Sequence, residues 1–327
     1  MTANKQIMTT EPSTTAIPTA LAIEPAQYWF AALRKRMGER KLVSLGLGLA
    51  LIGVLQLLGQ SLLEIFHGTA PPGLNLALLG GAAGFAATAL GALPALVLRE
   101  LPQRIEDSLL GLAAGMMLAA SAFSLLLPGL AAAEHLLDNK LLGAGVVVFG
   151  MSLGVLLMLG LDAFTPHEHD KTGPCGPGYE RCGRIWLFVF AIALHNLPEG
   201  MAIGVSFSQG DMLVGLPLTT AIALQDIPEG LAVALAMRGA GFSAAFAVLI
   251  AVLTGLLEPL GALIGVGLSS GLPLAYPTGL GLAGGAMLFV VSHEVIPETH
   301  RNGHQTPATL GLMAGFALMM VLDMTLG

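Results

Sequence analysis

Long apolar runs constrain this chain more than any other feature. Residues 108–133 and 259–292, for example, contain no Asp, Glu, Lys or Arg. A helix needs about twenty such residues to cross the hydrocarbon core of a bilayer. A soluble chain of 327 residues would instead form two packed domains covered by charge, with charged side chains at about 25% of positions. Here they are 11%, against 54% hydrophobic residues. The 43 glycines agree with a membrane setting. In lipid, small residues let helix backbones approach closely.

Reading the apolar runs between polar breaks predicts nine helical spans, at 43–66, 75–98, 107–130, 142–164, 186–208, 213–237, 243–268, 272–293 and 306–326. Lys and Arg orient them, because basic loops stay on the cytoplasmic side. Arg34, Lys35, Arg36, Arg40 and Lys41 precede the first span; Arg99, Arg104, Lys171, Arg181, Arg184, Arg238 and Arg301 fall in alternate later breaks. With the amino terminus inside, all of these are cytoplasmic and Lys140 lies outside. The expected localisation is the inner (plasma) membrane, with the carboxyl terminus on the periplasmic or extracellular side. Residues 1–41 read as a disordered cytoplasmic tail, polar and without a cleavable signal segment. An additional span follows at 42–66, then an eight-helix domain at 75–327 with one long cytoplasmic loop, 165–184. Cys175 and Cys182 lie in that loop, where reduced thiols are expected. The basic residues are too few and scattered for a nucleic-acid partner; the partners implied are a lipid bilayer and small cations.

Two segments nearly repeat: Ala191–Gly200 reads AIALHNLPEG and Ala221–Gly230 reads AIALQDIPEG. Their separation is one span plus a short turn, so the two helices run antiparallel. The flanks repeat as well. LGAL at 90–93 recurs at 260–263, GLAAGMML at 111–118 resembles GLAGGAML at 281–288, and GVLLMLGLD at 154–162 resembles GFALMMVLD at 315–323. Spans two to four thus correspond to spans seven to nine, with the motif pair between. The expected fold class is an all-α integral membrane bundle, a 3+2+3 inverted repeat plus one extra amino-terminal helix. Such repeats build secondary transporters, whose sites lie near the midplane on interrupted helices.

The motif pair carries polar side chains into the apolar layer. His195 and Glu199 share a helix face, as do Gln225 and Glu229, while Asn196 and Asp226 sit one position round. Glu258 lies in the seventh span. An ionised carboxylate at the bilayer centre costs roughly 2.5–3.5 kcal/mol on the insertion scale. Glu199, Asp226, Glu229 and Glu258 would also repel one another, and no Lys or Arg in any span neutralises them. A bound divalent cation would, or the groups would be protonated when empty. Pro198 and Pro228 each remove a helix hydrogen bond and free the carbonyls of Leu194 and Leu224, which predicts broken helices. Imidazole with carboxylates and amides suits zinc, iron, manganese or cadmium. Met117, at the middle of the third span, is a candidate soft ligand or plain core beside the apolar Met116 and Leu118, and four carboxylates could bridge two ions.

The pair HNLPEG and QDIPEG, the intramembrane EPLGA at Glu258 and the HEVIPETH segment at His293–His300 resemble the ZIP (Zrt/Irt-like) metal transporters, in their bacterial branch. The resemblance runs from about residue 75 to the end. It implies movement of Zn²⁺ and related ions such as Cd²⁺, Fe²⁺ and Mn²⁺ toward the cytoplasm, by an elevator-like motion through a binuclear centre. It implies that one ion takes Met117, His195, Glu199, Gln225, Glu229 and Glu258, and the second Asn196, Glu199, Asp226, Glu229 and Glu258. The metal is then the transported substrate, not a catalytic cofactor.

Two further groups of ligand-type residues stand apart. His293, Glu294, Glu298, His300 and His304 cluster at the inner end of the eighth span, as an exit site or as a solvated helix end. His167 and His169 open the cytoplasmic loop, as a metal-capturing site or a polar tether. Asp162 and Asp323 read equally as snorkelling helix ends or as functional groups, and Ser124 and Asp107 are left as entrance and gate residues without an assigned role. Two other functions compete. An ion-coupled carrier of an organic solute would use the acids for protonation, but no Tyr or Trp adjoins the motifs. An intramembrane metalloenzyme would need an accompanying hydrolase motif, which is missing, so an enzyme is not expected. The first span suits packing on the site-bearing helices or a homodimer contact.

Overall fold

The structure, a computed structural model, describes residues 73–164, 184–269 and 273–326 continuously, the segments 167–169 and 173–175, and scattered positions between 37 and 67. The expected tail (1–41), most of the additional span (42–66) and most of the loop (165–184) lie outside the described residues. Where positions between 37 and 67 are described, they are helical.

Among the described residues eight helical segments are long and apolar enough to cross a membrane. The chain is therefore an all-α, multi-pass membrane protein. The helices are α1 (Leu74–Ala92), α2 (Gln103–Ala120) running through a π-helical turn (Ser121–Leu126) into α3 (Leu127–Leu137), α4 (Lys140–Phe164), α5 (Arg184–Phe207) and α6 (Met212–Gly239). Then follow α7 (Ala244–Gly255), α8 (Leu257–Ser269), α9 (Ala275–Val290) with a second π turn (Val291–Val295), α10 (Ile296–Thr299) and α11 (Gln305–Leu326). In the long loop, β1 (His167–His169) pairs antiparallel with β2 (Gly173–Cys175).

Local chemistry sets several boundaries. The third span, expected to stop near residue 130, continues to Leu137, and its turn shrinks to Asp138 and Asn139. Asp138 adopts the left-handed conformation, φ 49°, that ends the helix. Asn139 Oδ1 then accepts the amides of Leu141 and Leu142, capping α4. Asp211 caps α6 in the same way, accepting the Leu213 amide at 2.9 Å.

The expected break at each motif proline does not occur. Pro198 and Pro228 lie within continuous helices α5 and α6. A proline deletes one backbone bond, and packing on neighbouring helices holds the rest of the helix together. The interruption falls instead at Leu256, between α7 and α8, and sets Glu258 in the first turn of α8.

The helices form two packed groups. In one, α5 lies along α8, α1 lies along α6, and α1 also touches α8; in the other, α2 lies along α11 and α4 along α9. Glycines mark the closest approaches. A Cβ on Gly200 would collide with the Glu258 main-chain carbonyl, and one on Gly230 with that of Thr88. A Cβ on Gly281 would meet the Val147 carbonyl, and one on Gly111 that of Ala308. Residues 88, 111 and 121 lie at one constant spacing before 258, 281 and 291. The π turns themselves begin at Ser121 and Val291, in that same register.

Candidate metal centre

The antiparallel pair α5 and α6 brings the two motifs together. One carboxylate oxygen each from Glu199, Asp226 and Glu229 lies within 4.8 Å of the other two, and all three residues are buried. Gln225 Nε2 donates a hydrogen bond to Glu199 Oε1, tying α6 to α5 at this level. Glu258 enters from the first turn of α8. Its Oε1 accepts a 2.9 Å hydrogen bond from the Thr88 hydroxyl on α1. Its Oε2 and Asp226 Oδ2 both crowd the α carbon of Gly84, one turn before Thr88, where any side chain would strike them.

What this cluster lacks is informative. Both ring nitrogens of His195, Glu199 Oε2, Gln225 Oε1, Asp226 Oδ2, both oxygens of Glu229 and Glu258 Oε2 are buried without a hydrogen-bond partner among the described residues. Leaving one buried polar group unsatisfied costs about 1–3 kcal/mol, more for a charge. Eight such atoms in one region would be a heavy burden on a fold that had no guest for them. Every one is a metal-ligand type: imidazole nitrogen, carboxylate oxygen or amide oxygen. Asn196 is buried beside them in sequence on α5, and Met117 is fully buried on α2, which packs against α6.

The five residues expected to share an exit site do not form one group. His293 and Glu294 lie on the second π turn and converge with Asp162 of α4, their ligand atoms again within 4.8 Å of one another. The other three are engaged elsewhere. Glu298 pairs with Arg301 at 3.1 Å. His300 Nδ1 sits 3.0 Å from the Ile296 carbonyl and 2.8 Å from Thr299 Oγ1. His304 Nδ1 lies 2.9 Å from Asp107 Oδ2, while Asp107 Oδ1 accepts from Gln103 and Asn302. Helical periodicity explains the split. The π turn rotates His293 and Glu294 toward α4, and the chain then leaves the helix at His300.

At the other π turn, the Ser124 hydroxyl donates to Asp323 Oδ1 at 2.7 Å. Of the loop candidates, the backbone of His167 and His169 is paired in β1, but their side chains lie outside the described residues. The sequence reading passed over Thr88 and Gly84. A signal existed: extending the LGAL match upstream by two residues sets Thr88 opposite Glu258.

Residues 179–323 match the family profile described as ZIP Zinc transporter. The chain is 60% identical over 310 residues to the zinc transporter ZIPB of Bordetella bronchiseptica, an alignment covering 95% of this chain and 99% of that protein. It is 45% identical over 258 residues to the zinc transporter GufA of Myxococcus xanthus, covering 78% and 99%. It is 36% identical over 248 residues to the zinc transporter ZupT of Corynebacterium glutamicum, covering 72% and 93%. With its motif pair, its helical membrane fold and these similarities, the chain belongs to the ZIP transporter family, and is a transporter, not an enzyme.

Proposed function

We propose that this protein carries divalent transition-metal ions, zinc foremost, across the membrane toward the cytoplasm. The observation that carries the proposal is the buried set of unpartnered ligand atoms on Glu199, Asp226, Glu229, Glu258, His195 and Gln225. An organic solute would need aromatic or basic partners that this site lacks. The relatives' names speak for zinc, and the nitrogen and oxygen donors suit it and also Cd²⁺, Fe²⁺ and Mn²⁺.

Three carboxylates within 4.8 Å of one another, with Glu258 beside Asp226, are enough to bridge two ions. In this reading Met117, His195, Glu199, Gln225, Glu229 and Glu258 hold one, and Asn196, Glu199, Asp226, Glu229 and Glu258 the other. The chain's own groups do three things here. The acids supply counter-charge in the low-dielectric layer, the imidazole and thioether favour transition metals over calcium and magnesium, and Gln225 fixes the Glu199 carboxylate.

The motion we infer is a slide of one helix group, α1 with α5–α8, against the other. The constant spacing of residues 88, 111 and 121 before 258, 281 and 291 supports an inverted repeat, an architecture on which many alternating-access transporters are built. The apolar packing supports a state sealed on the outer side. The large core cluster draws on both groups, and its members from the first, among them Leu74, Ile203, Phe207, Leu218 and Ile222, lie toward the outer ends of α1, α5 and α6 in the inferred topology. The second cluster, through Ala92, Val189, Ile192, Val233 and Met237, lies within the first group alone. Ions leaving inward would meet Asp162, His293 and Glu294. The topology is amino terminus inside and carboxyl terminus outside, in the cell's inner membrane, with the 42–66 span as an extra helix or a dimer contact.

Uptake of labelled zinc and cadmium by the purified protein in liposomes tests the reading. Flux should saturate, and His195→Ala and Glu229→Ala should lower it sharply. Wild-type liposomes that take up no more metal than empty ones would reject it.

A further inference from the structure

We propose that Thr88 is a positioning and specificity-determining residue for the metal site, acting by holding Glu258 to one free ligand oxygen. The inference rests on the proposed transport site and adds to it a residue that touches no ion.

Thr88 is buried in α1, and its hydroxyl donates to Glu258 Oε1 at 2.9 Å while its oxygen stays 3.3 Å from the Gly84 carbonyl of its own helix. Of the two acceptors within reach, the Glu258 oxygen across the helix interface is the nearer. It satisfies Oε1 and leaves Oε2 without a partner among the described residues, facing Asp226 Oδ2 beside Gly84. A carboxylate so held rotates little. It offers the two ions of the proposed site one shared oxygen, in a fixed direction.

The surrounding backbone holds the pair rigidly. Gly230 of α6 packs on the Thr88 main chain, and Gly200 of α5 packs on that of Glu258. Residues 88 and 258 are also counterparts in the two halves of the repeat, with a hydroxyl in one half and a carboxylate in the other. The near-symmetric site thereby receives one ligand on this axis instead of two, and the second position becomes a hydrogen-bond donor to the first.

This matters for ion choice. Zinc holds few ligands at once, about four or five, so the residues named for each ion do not all ligate together, and a Glu258 limited to one oxygen keeps the count low. Larger ions accept more oxygens and two-oxygen carboxylates, as calcium does. A Glu258 freed to use both oxygens would relax the site toward larger ions. Partners that orient a metal's ligands typically contribute 10–100-fold to affinity.

The test compares wild type, Thr88→Val and Thr88→Ser in liposomes, with initial uptake of Zn²⁺ and Cd²⁺ over a range of concentrations. Valine keeps the shape and deletes the donor; serine keeps the donor. Thr88→Val should raise KM for zinc roughly tenfold with turnover much less affected. The ratio of cadmium to zinc kcat/KM should rise at least about threefold, and serine should restore both values. Zinc binding to the detergent-solubilised variants, by competition with a chelating dye, should show the same order. A Thr88→Val protein with unchanged zinc KM and ion ratio overturns the inference. So does a serine variant as altered as valine, or a loss confined to turnover. Wild-type liposomes without metal uptake would reject the transport reading itself, a separate result.

Discussion

Replacing Gly200 by alanine adds one methyl group where α5 crosses α8. The new Cβ would overlap the carbonyl oxygen of Glu258 and lie 2.7 Å from both its Cα and its carbonyl carbon. Ordinary carbon contacts are about 3.5–4 Å, so the α8 backbone must retreat by about 1 Å. The atoms are backbone on both sides, and no side chain can swing away. Overpacking of this kind costs about 1–3 kcal/mol, set against the roughly 0.5–1 kcal/mol that alanine gains over glycine in a helix. The larger effect falls on function. The displaced residue is Glu258, a ligand in the proposed site, and metal–ligand distances tolerate only about 0.2 Å, so zinc KM should rise by an order of magnitude or more.

Initial rates of zinc uptake into liposomes measure this, with thermal unfolding of the detergent-solubilised protein alongside. The matched control is Gly145→Ala in α4, exposed and with nothing within 4 Å of the added Cβ. That variant should transport like wild type and unfold no earlier. A Gly200→Ala protein with wild-type KM would refute the reasoning, because the crossing could then open without moving the ligand. Equal losses in both variants would refute it too, since the effect would not be local.

The companion substitution Gly230→Ala drives a methyl group into the Thr88 carbonyl and should impair zinc uptake similarly, while the same change at exposed Gly239 should not. Asp107→Ala removes the acceptor of Gln103, Asn302 and His304 at once, and thermal unfolding should show a loss of about 2–4 kcal/mol. A double-mutant cycle between Ser124 and Asp323 should return a coupling near 1 kcal/mol, measured by unfolding; additivity would deny the hydrogen bond its role. Topology is checked with a cysteine introduced at position 327 of a variant in which Cys175 and Cys182 are replaced by serine, which an impermeant thiol reagent should label in intact cells; labelling only after permeabilisation would reverse the predicted side.

Much of the site was legible along the chain because its chemistry is expensive. Carboxylates in an apolar run have few structural uses, so Glu199, Asp226, Glu229 and Glu258 stand out as candidate ligands, and His195 and Gln225 follow from helical spacing. The exit group was less legible. Five ligand-type residues close in sequence looked like one cluster, yet the π turn, which no local propensity announces, sends His293 and Glu294 to Asp162 and leaves His304 to Asp107. The prolines misled in the opposite direction, since a helix packed on its neighbours continues through Pro198 and Pro228.

The sequence by itself determined the class of the protein: eight helical crossings among the described residues follow from hydropathy, and the kind of guest follows from acids without basic neighbours. Only the tertiary structure decided that Thr88 meets Glu258, that Gly84 and Gly200 make room for it, and that the interruption falls at Leu256. Hydrophobicity is a property each residue carries with it, and so it can be read one position at a time. A hydrogen bond across a helix crossing depends on the angle and depth at which two helices meet, which many distant residues set together.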